Sequence, residues 1–325
     1  MKTILIKQND ENQRLDKFLT KTFKALPVSL MYKYIRTKKI KLNKKRCYIN
    51  SILKKDDIID LYIKDEFLEN STDDKYDFLK APDKINIVYE DDNILLVNKP
   101  LGLLVHSDKN NLSDSLICRI LHYLYNSGFY DPDNENSFTP ALVNRIDRNT
   151  CGIVICAKNA ASLRILNQKL KDREIQKFYL ALVHGFFLKH SDTLTAYLIK
   201  NEDQNRVYIY DNRIKGSKTI KTKYTVVKEF KNKNMTLIKV QLLTGRTHQI
   251  RAHMAYINHP LIGDGKYGKN DVNKKYKYKK QALCSYKLSF NFSSDSGILQ
   301  YLNNKSFEIS FEALNTQFFS RFDAL

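Results

Sequence analysis

Leu15, Phe18, Leu19 and Phe23 recur at the three-to-four-residue spacing of a helix face, and Ser29 is a good N-cap for a second helix. Short β-like runs follow at 40–42, 47–49 and 58–63, so residues 12–64 read as a small α/β unit. Between 65 and 83 the pattern breaks. Asp65, Glu66, Glu69, Asp73, Asp74 and Asp77 cluster there and Pro82 ends the run, the composition of an acidic linker. From 84 to 325, β-rich runs (93–97, 152–157, 177–183, 236–243, 307–311) alternate with helical ones (113–125, 160–171, 249–257). That alternation predicts a larger mixed domain around a central sheet, and no internal repeat interrupts it.

Composition adds a partner to this outline. Lysines and arginines number 55 against 35 acids, a net charge of +20. Such a surplus favours a polyanion, because neutralising phosphates releases condensed counterions, although a lysine-rich compositional bias would produce it too. The charge is concentrated. The segment 33–46 holds Lys33, Arg36, Lys38, Lys39, Lys41, Lys44, Lys45 and Arg46 without an acid. Tyr34 lies in that segment and Tyr32 just ahead of it, which suits RNA backbone contacts with base stacking as well as a plain solvated face. A second basic stretch, 266–280, contributes Lys266, Lys269, Lys274, Lys275, Lys277, Lys279 and Lys280. The 42 % apolar content over 325 residues can fill the cores of about two domains.

Several classes are excluded. Cys47, Cys118, Cys151, Cys156 and Cys284 are scattered and form no C-x-x-C pair, which argues against a disulfide framework or a cysteine zinc site and fits a reducing compartment. The apolar start at 4–6 is too short for a signal-peptide core. The most apolar stretch, 94–105, is broken by Asn98, Lys99, Pro100 and Gly102. A soluble, cytoplasmic protein with no membrane contact is expected.

Three segments carry candidate chemistry. In Asn144-Arg145-Ile146-Asp147-Arg148-Asn149-Thr150-Cys151-Gly152, a carboxylate stands among positive charges and could act as a nucleophile; as structure alone it is a surface turn. In the run 176–185, alternation puts Phe178, Leu180 and Leu182 on one strand face and Lys177, Tyr179, Ala181 and Val183 on the other. Tyr179 then either packs or lines a pocket. In the run 243–254, a strand ends, Thr244-Gly245 turns, and a helix opens near Thr247, with Ile250, Met254 and Ile257 on its core face. Arg246 at that junction could pair bidentately with a carboxylate or phosphate. His248 and His253 make no H-E-x-x-H, and zinc-deaminase, Walker and dinucleotide fingerprints are missing, so no metal and no cofactor are expected.

At these three segments the chain resembles the RluA/RluC-type pseudouridine synthases, which modify ribosomal and transfer RNA. That family's H-R-L-D-x-x-T-S-G is matched by 144–152, its K-x-Y-x-A-L-V-x-G by 177–185, and its T-G-R-T-H-Q-I-R-x-H by 244–253. The runs 97–106 and 259–264 match as well, so the resemblance spans most of 86–290. Residues 12–64 are similar to a small RNA-binding domain shared with a small-subunit ribosomal protein, through Arg14-Leu15-Asp16 and Ile40-Lys41-Leu42-Asn43.

The resemblance implies an α+β fold: a catalytic domain with a mixed, largely antiparallel sheet and an RNA cleft, plus the small α/β RNA-binding domain. It implies Asp147, Tyr179 and Arg246 as the catalytic set, with Arg246 holding Asp147 charged and oriented. Arg145 would fill the stack vacated by the flipped base. Uridine must leave its helix, its C–N bond breaks, uracil rotates, and carbon 5 joins the sugar, so neither redox nor metal chemistry is required. Covalent attack by Asp147 and an elimination route both remain open, as do stacking and proton transfer for Tyr179. Large-subunit ribosomal RNA is the preferred partner and transfer RNA the second, acted on by a monomer. Asn144, Ile146, Cys151 and Cys284 depart from the family's His, Leu, Ser and His, none at a proposed catalytic position. A non-catalytic ribosome-assembly factor is the rival reading, but binding alone would not require a carboxylate among phosphates. A glycosidase would need a second carboxylate partner, and none is evident.

Overall fold

The structure, a computed structural model, describes residues 1–68, 75–107, 114–275 and 278–322. Glu69, Asp73 and Asp74 of the acidic stretch, Ser113 at the expected helix start, and Lys277 of the second basic stretch lie outside the described residues. The chain forms two compact units: residues 1–84, 107–141 and 157–163, and residues 85–106, 142–156 and 164–325.

In the first unit, β1 (Lys2–Leu5) is followed by α1 (Leu15–Thr22), α2 (Val28–Arg36), β2 (Ile40–Leu42), β3 (Lys45–Arg46) and β4 (Ile58–Leu61). The strands make an antiparallel sheet in the order β1-β4-β2-β3. Leu15, Phe18 and Leu19 of α1 and Met31 and Ile35 of α2 bury one stripe each against Ile4, Ile40, Ile59 and Leu61. Helix α2 opens at Val28 with Pro27 in the cap position, so Ser29 sits inside the first turn rather than capping it. Residues 47–49 form no strand, because the Asn43-Lys44 turn (φ 50° and 61°) closes β2 onto β3 at Lys45–Arg46.

The same unit takes in α3 (Leu116–Asn126), N-capped by Ser115, whose hydroxyl accepts from the Cys118 amide. Phe78 and Ala81, in the stretch expected to be a polar linker, are buried here; His122 Nδ1 meets the Ala81 carbonyl at 2.6 Å. Asp10, fully buried, ties residues 134–137 to the N-terminus. Its Oδ1 accepts from Ser137 Oγ at 2.6 Å, and its Oδ2 from Asn136 Nδ2 at 2.7 Å and the Lys7 amide at 3.1 Å. The Lys7 ammonium adds a bond to the Asn134 carbonyl.

The second unit is built on a large, mostly antiparallel sheet. Its strands are β5 (Ile87–Glu90), β6 (Ile94–Lys99), β7 (Cys151–Ala157), β8 (Ile175–His184), β9 (Ser191–Asn201), β10 (Arg206–Tyr210), β11 (Lys218–Phe230), β12 (Met235–Leu242), β13 (Leu283–Phe290) and β14 (Ser306–Glu308). The order is β10-β9-β11-β12-β8-β13-β7-β6-β5, with β14 on β13; β13 and β7 run parallel. Ile94 to Val97 and all of β7 are buried, as expected of central strands covered on both faces. Gly152 makes the parallel pair possible: at φ +118°, a Cβ there would lie 2.3 Å from the Ser285 carbonyl oxygen. Helices α4 (Ala160–Lys171), α5 (Gln249–Tyr256) and α6 (Phe311–Gln317) complete the labelled elements. The strand expected at 307–311 stops at Glu308, because the Ser310 hydroxyl accepts from the Ala313 amide and starts α6 at Phe311.

Candidate active site

Asp147 stands on the loop that feeds β7, and the loop is stiffened from below. Asn144 Oδ1 accepts from the Ile155 amide at 2.8 Å, so asparagine in this position holds the backbone. The Thr150 amide closes a turn onto the Asp147 carbonyl at 3.0 Å, and Gln281 Nε2 holds Thr150 Oγ1 at 3.1 Å. Beneath them lies Lys99, fully buried, whose ammonium donates to the carbonyls of Pro100 (2.9 Å), Leu103 (2.8 Å) and Arg148 (3.1 Å). Burial pushes its pKa down to about 8, against the opposing pull of Cys151 and Asp147.

The loop leaves the Asp147 carboxylate partly exposed, and its Oδ2 accepts from Arg251 Nη1 at 2.7 Å. Arg251 is itself held by the fully buried Asp264, through Nε at 2.7 Å and Nη2 at 3.0 Å. Burial works against the guanidinium's charge, but the Asp264 and Asp147 carboxylates outweigh it and raise its pKa. His248, in left-handed backbone at φ 52°, places Nε2 3.9 Å from Asp147 Oδ2 while Nδ1 meets the Tyr267 hydroxyl at 3.0 Å. Tyr179 lies on β8 opposite Val240 and Ser285. Burial pushes its phenol well above the ordinary value; Ser285 opposes that shift and the Asp147 charge adds to it. The phenol is therefore protonated at neutral pH and close enough to Asp147 to feel its charge.

Arg246 does not meet Asp147. Gln249 Oε1 accepts from the Arg246 amide at 3.0 Å and from Thr244 Oγ1 at 2.9 Å, which pins the turn with the Arg246 side chain outward. There it borders a shallow hollow with Thr247, Lys200, Glu202, Gly216 and Lys218. The arginine that meets Asp147 is Arg251, five residues further on and inside α5. A signal for this existed in Asp264, an acid in an apolar run that needs a buried cation. Arg145 is exposed on the same loop as Asp147, and its charge lowers the pKa of His106, after burial the second cause. In the first unit Lys33, Arg36, Lys38, Lys39, Lys44, Lys45 and Arg46 are all exposed. Among the described residues, no three His, Cys, Asp or Glu side chains converge as a metal site, and no helix is long and apolar enough to cross a membrane.

A family model for RNA pseudouridylate synthase matches residues 93–256, a stretch that contains Asp147, Tyr179, Arg246 and Arg251. The chain belongs to the RNA pseudouridylate synthase family. An uncharacterized RNA pseudouridine synthase of Mycoplasma capricolum is 37 % identical over 312 residues, covering 94 % of this chain and 96 % of that protein. The ribosomal large subunit pseudouridine synthase C of Buchnera aphidicola subsp. Baizongia pistaciae is 36 % identical, covering 88 % of each. In fold, the chain is similar to human RNA pseudouridylate synthase domain containing 4, with a TM-score of 0.56 at 17 % identity over 73 % of this chain and 92 % of that one. Within the matched stretch, Asp147 is a loop carboxylate that the Arg251 guanidinium holds while leaving it partly open.

Proposed function

We propose that this synthase isomerises uridines of large-subunit ribosomal RNA, with Asp147 as its catalytic carboxylate. The observation that carries this is Asp147 itself, partly exposed, with Oδ2 held by Arg251 and the protonated Tyr179 phenol nearby. Relatives such as the Buchnera protein carry the ribosomal large subunit in their names, and the +20 charge suits a large polyanion. Transfer RNA is the second candidate substrate; a cytoplasmic monomer is the expected working form.

The target uridine leaves its stack at a cost of a few kcal/mol, and Arg145 fills the gap. The bond from C1′ to N1 breaks, uracil turns, and C5 bonds to C1′; the C5 proton is lost and N1 gains one, so the reaction balances as an isomerisation. Asp147 acts at the sugar or base, by covalent attack or by assisting elimination. Arg251 keeps its carboxylate aimed, and Tyr179 forms the floor beneath the uracil. Arg246, facing outward, belongs to RNA binding. Residues 12–64, with Lys33, Arg36, Lys38, Lys39, Lys44, Lys45 and Arg46, supply a further RNA contact.

The purified protein, without added metal or nucleotide, is incubated with unmodified large-subunit ribosomal RNA and pseudouridine is mapped by carbodiimide-stop sequencing. New sites made by the parent and missing with Asp147→Asn support the reading. Sites that persist with the variant remove Asp147 from the chemistry. Sites on transfer RNA alone overturn the substrate assignment.

A further inference from the structure

Lys177 carries a charge that the fold leaves unanswered. It lies on β8 two residues from Tyr179, so both side chains leave the same face of the strand. Its cross-strand neighbours are Leu242 on β12 and Leu288 on β13. The stem thus runs between apolar side chains, and burial depresses the ammonium below the ordinary lysine value. Among the described residues, no hydrogen bond or ion pair reaches that ammonium. Lys177 keeps part of its surface open, whereas the fully buried lysines of this unit are satisfied. Lys169 has Glu174 at 2.7 Å and Ser294, and Lys99 has its three carbonyls.

A partly desolvated cation without a protein partner, still open on one side, is a candidate binding group. Its tip has a defined place. A Cβ on Gly245 would stand 3.2 Å from Lys177 Nζ, so the ammonium ends against the bare backbone of the turn that carries exposed Arg246. The acid in the hollow beside Arg246, Glu202, is already paired with Lys200.

We propose that Lys177 and Arg246 flank Gly245 as a clamp for one RNA phosphodiester, the one adjoining the uridine whose base lies over Tyr179. The inference rests on the RNA-modifying reading above and adds how the substrate backbone is held. The ammonium supplies a point charge, the guanidinium a fork, and the missing Cβ lets phosphate oxygens reach both. Two residues of strand place Lys177 about 7 Å along from Tyr179, beyond the base that the tyrosine supports.

Lys177→Met tests this, because methionine keeps the stem and removes the unanswered charge. Its thermal midpoint is expected to equal or exceed that of the parent. RNA affinity should fall five- to tenfold at low salt, with the slope of log K against log salt shallower by about 0.7, one phosphate on a single strand. KM should rise while kcat at saturating RNA stays within twofold; Lys177→Arg should restore KM. Gly245→Ala, which crowds Nζ without removing charge, should reproduce the slope loss. An unchanged slope with a lowered midpoint would make Lys177 merely structural, and a loss confined to kcat would assign the ammonium to the base; either overturns the clamp. If the parent forms no pseudouridine, the functional reading fails, and the salt slope still decides the clamp by itself.

Discussion

Arg251 Nη1 lies 2.7 Å from Asp147 Oδ2 while its other two nitrogens grip Asp264, so one guanidinium joins a partly exposed carboxylate to a fully buried one. The buried partner fixes the fork, and the fork fixes Asp147 Oδ2. Asp264 is in turn held by the Lys266 amide at 2.9 Å and the Tyr267 amide at 3.1 Å, so the chain of support ends in backbone.

Arg251→Lys keeps a charge but cannot span both acids. Single-turnover isomerisation should fall roughly 10²-fold, the scale of a misaimed reactive group. RNA affinity should change little, since Arg251 is buried. Arg246→Lys should do the reverse, weakening RNA binding while bound RNA still reacts. A chemical defect confined to Arg246→Lys would return the orienting role to Arg246. Asp264→Asn should lower the thermal midpoint, because breaking a buried pair costs about 3–5 kcal/mol.

The contrast between these two arginines marks the limit of what the chain spells out. Alternation on β8 set the face of Tyr179 apart from Phe178 and Leu180, but it could not show that Tyr179 is itself buried. The loop that carries Asp147 was legible as a turn because it precedes an apolar strand. Which arginine of 244–253 reaches Asp147 depends on how Gln249 folds back on the turn, and no spacing rule encodes that. The strands β9 and β11 escaped notice because threonine and lysine hold much of their open face. The tie between Asp10 and residues 136–137 likewise has no periodic signature, so the reach of the first unit beyond residue 84 could only be seen in three dimensions.

Lys99 gives a pH test. Its folded pKa of about 8 lies below the ordinary 10.5. Between those values the unfolded chain still holds a proton that the folded chain has released. This residue's contribution to stability therefore rises with pH across that window, and its burial penalty is fully present below it. The difference amounts to about 3 kcal/mol. Urea unfolding of the parent and Lys99→Met at pH 7.5 and 10 should show the parent gaining on the variant as pH rises. A constant difference would mean that the carbonyls of Pro100, Leu103 and Arg148 serve the ammonium as well as water does.

Asp10→Ala strips the acceptor from Ser137 Oγ, Asn136 Nδ2 and the Lys7 amide. Each buried donor left unsatisfied costs about 1–3 kcal/mol. We expect a lower thermal midpoint and at least tenfold faster amide exchange over 133–137, with exchange in β7 and β8 little changed. Uniform acceleration throughout the chain would show that Asp10 serves global stability and not this local tie.

Lys38 and Lys44 occupy left-handed backbone, at φ 62° and 61°, where glycine or asparagine would be at ease. Both sit on exposed turns, Lys38 just past α2 and Lys44 between β2 and β3. Lys39 stands 5.5 Å over the Tyr34 ring, and Arg46 5.4 Å over Tyr48. Long cations held on tight turns beside aromatic rings suit phosphate contact with adjoining base stacking. Replacing Lys38, Lys39, Lys44 and Lys45 with glutamine should weaken binding to large-subunit ribosomal RNA and reduce the salt slope by about 2–3. Isomerisation of a short stem-loop without its flanking RNA should proceed at the parent rate. A full slope in the quadruple variant would take the first unit out of RNA binding, leaving those charges as solvated surface and the strain at Lys38 and Lys44 without a function.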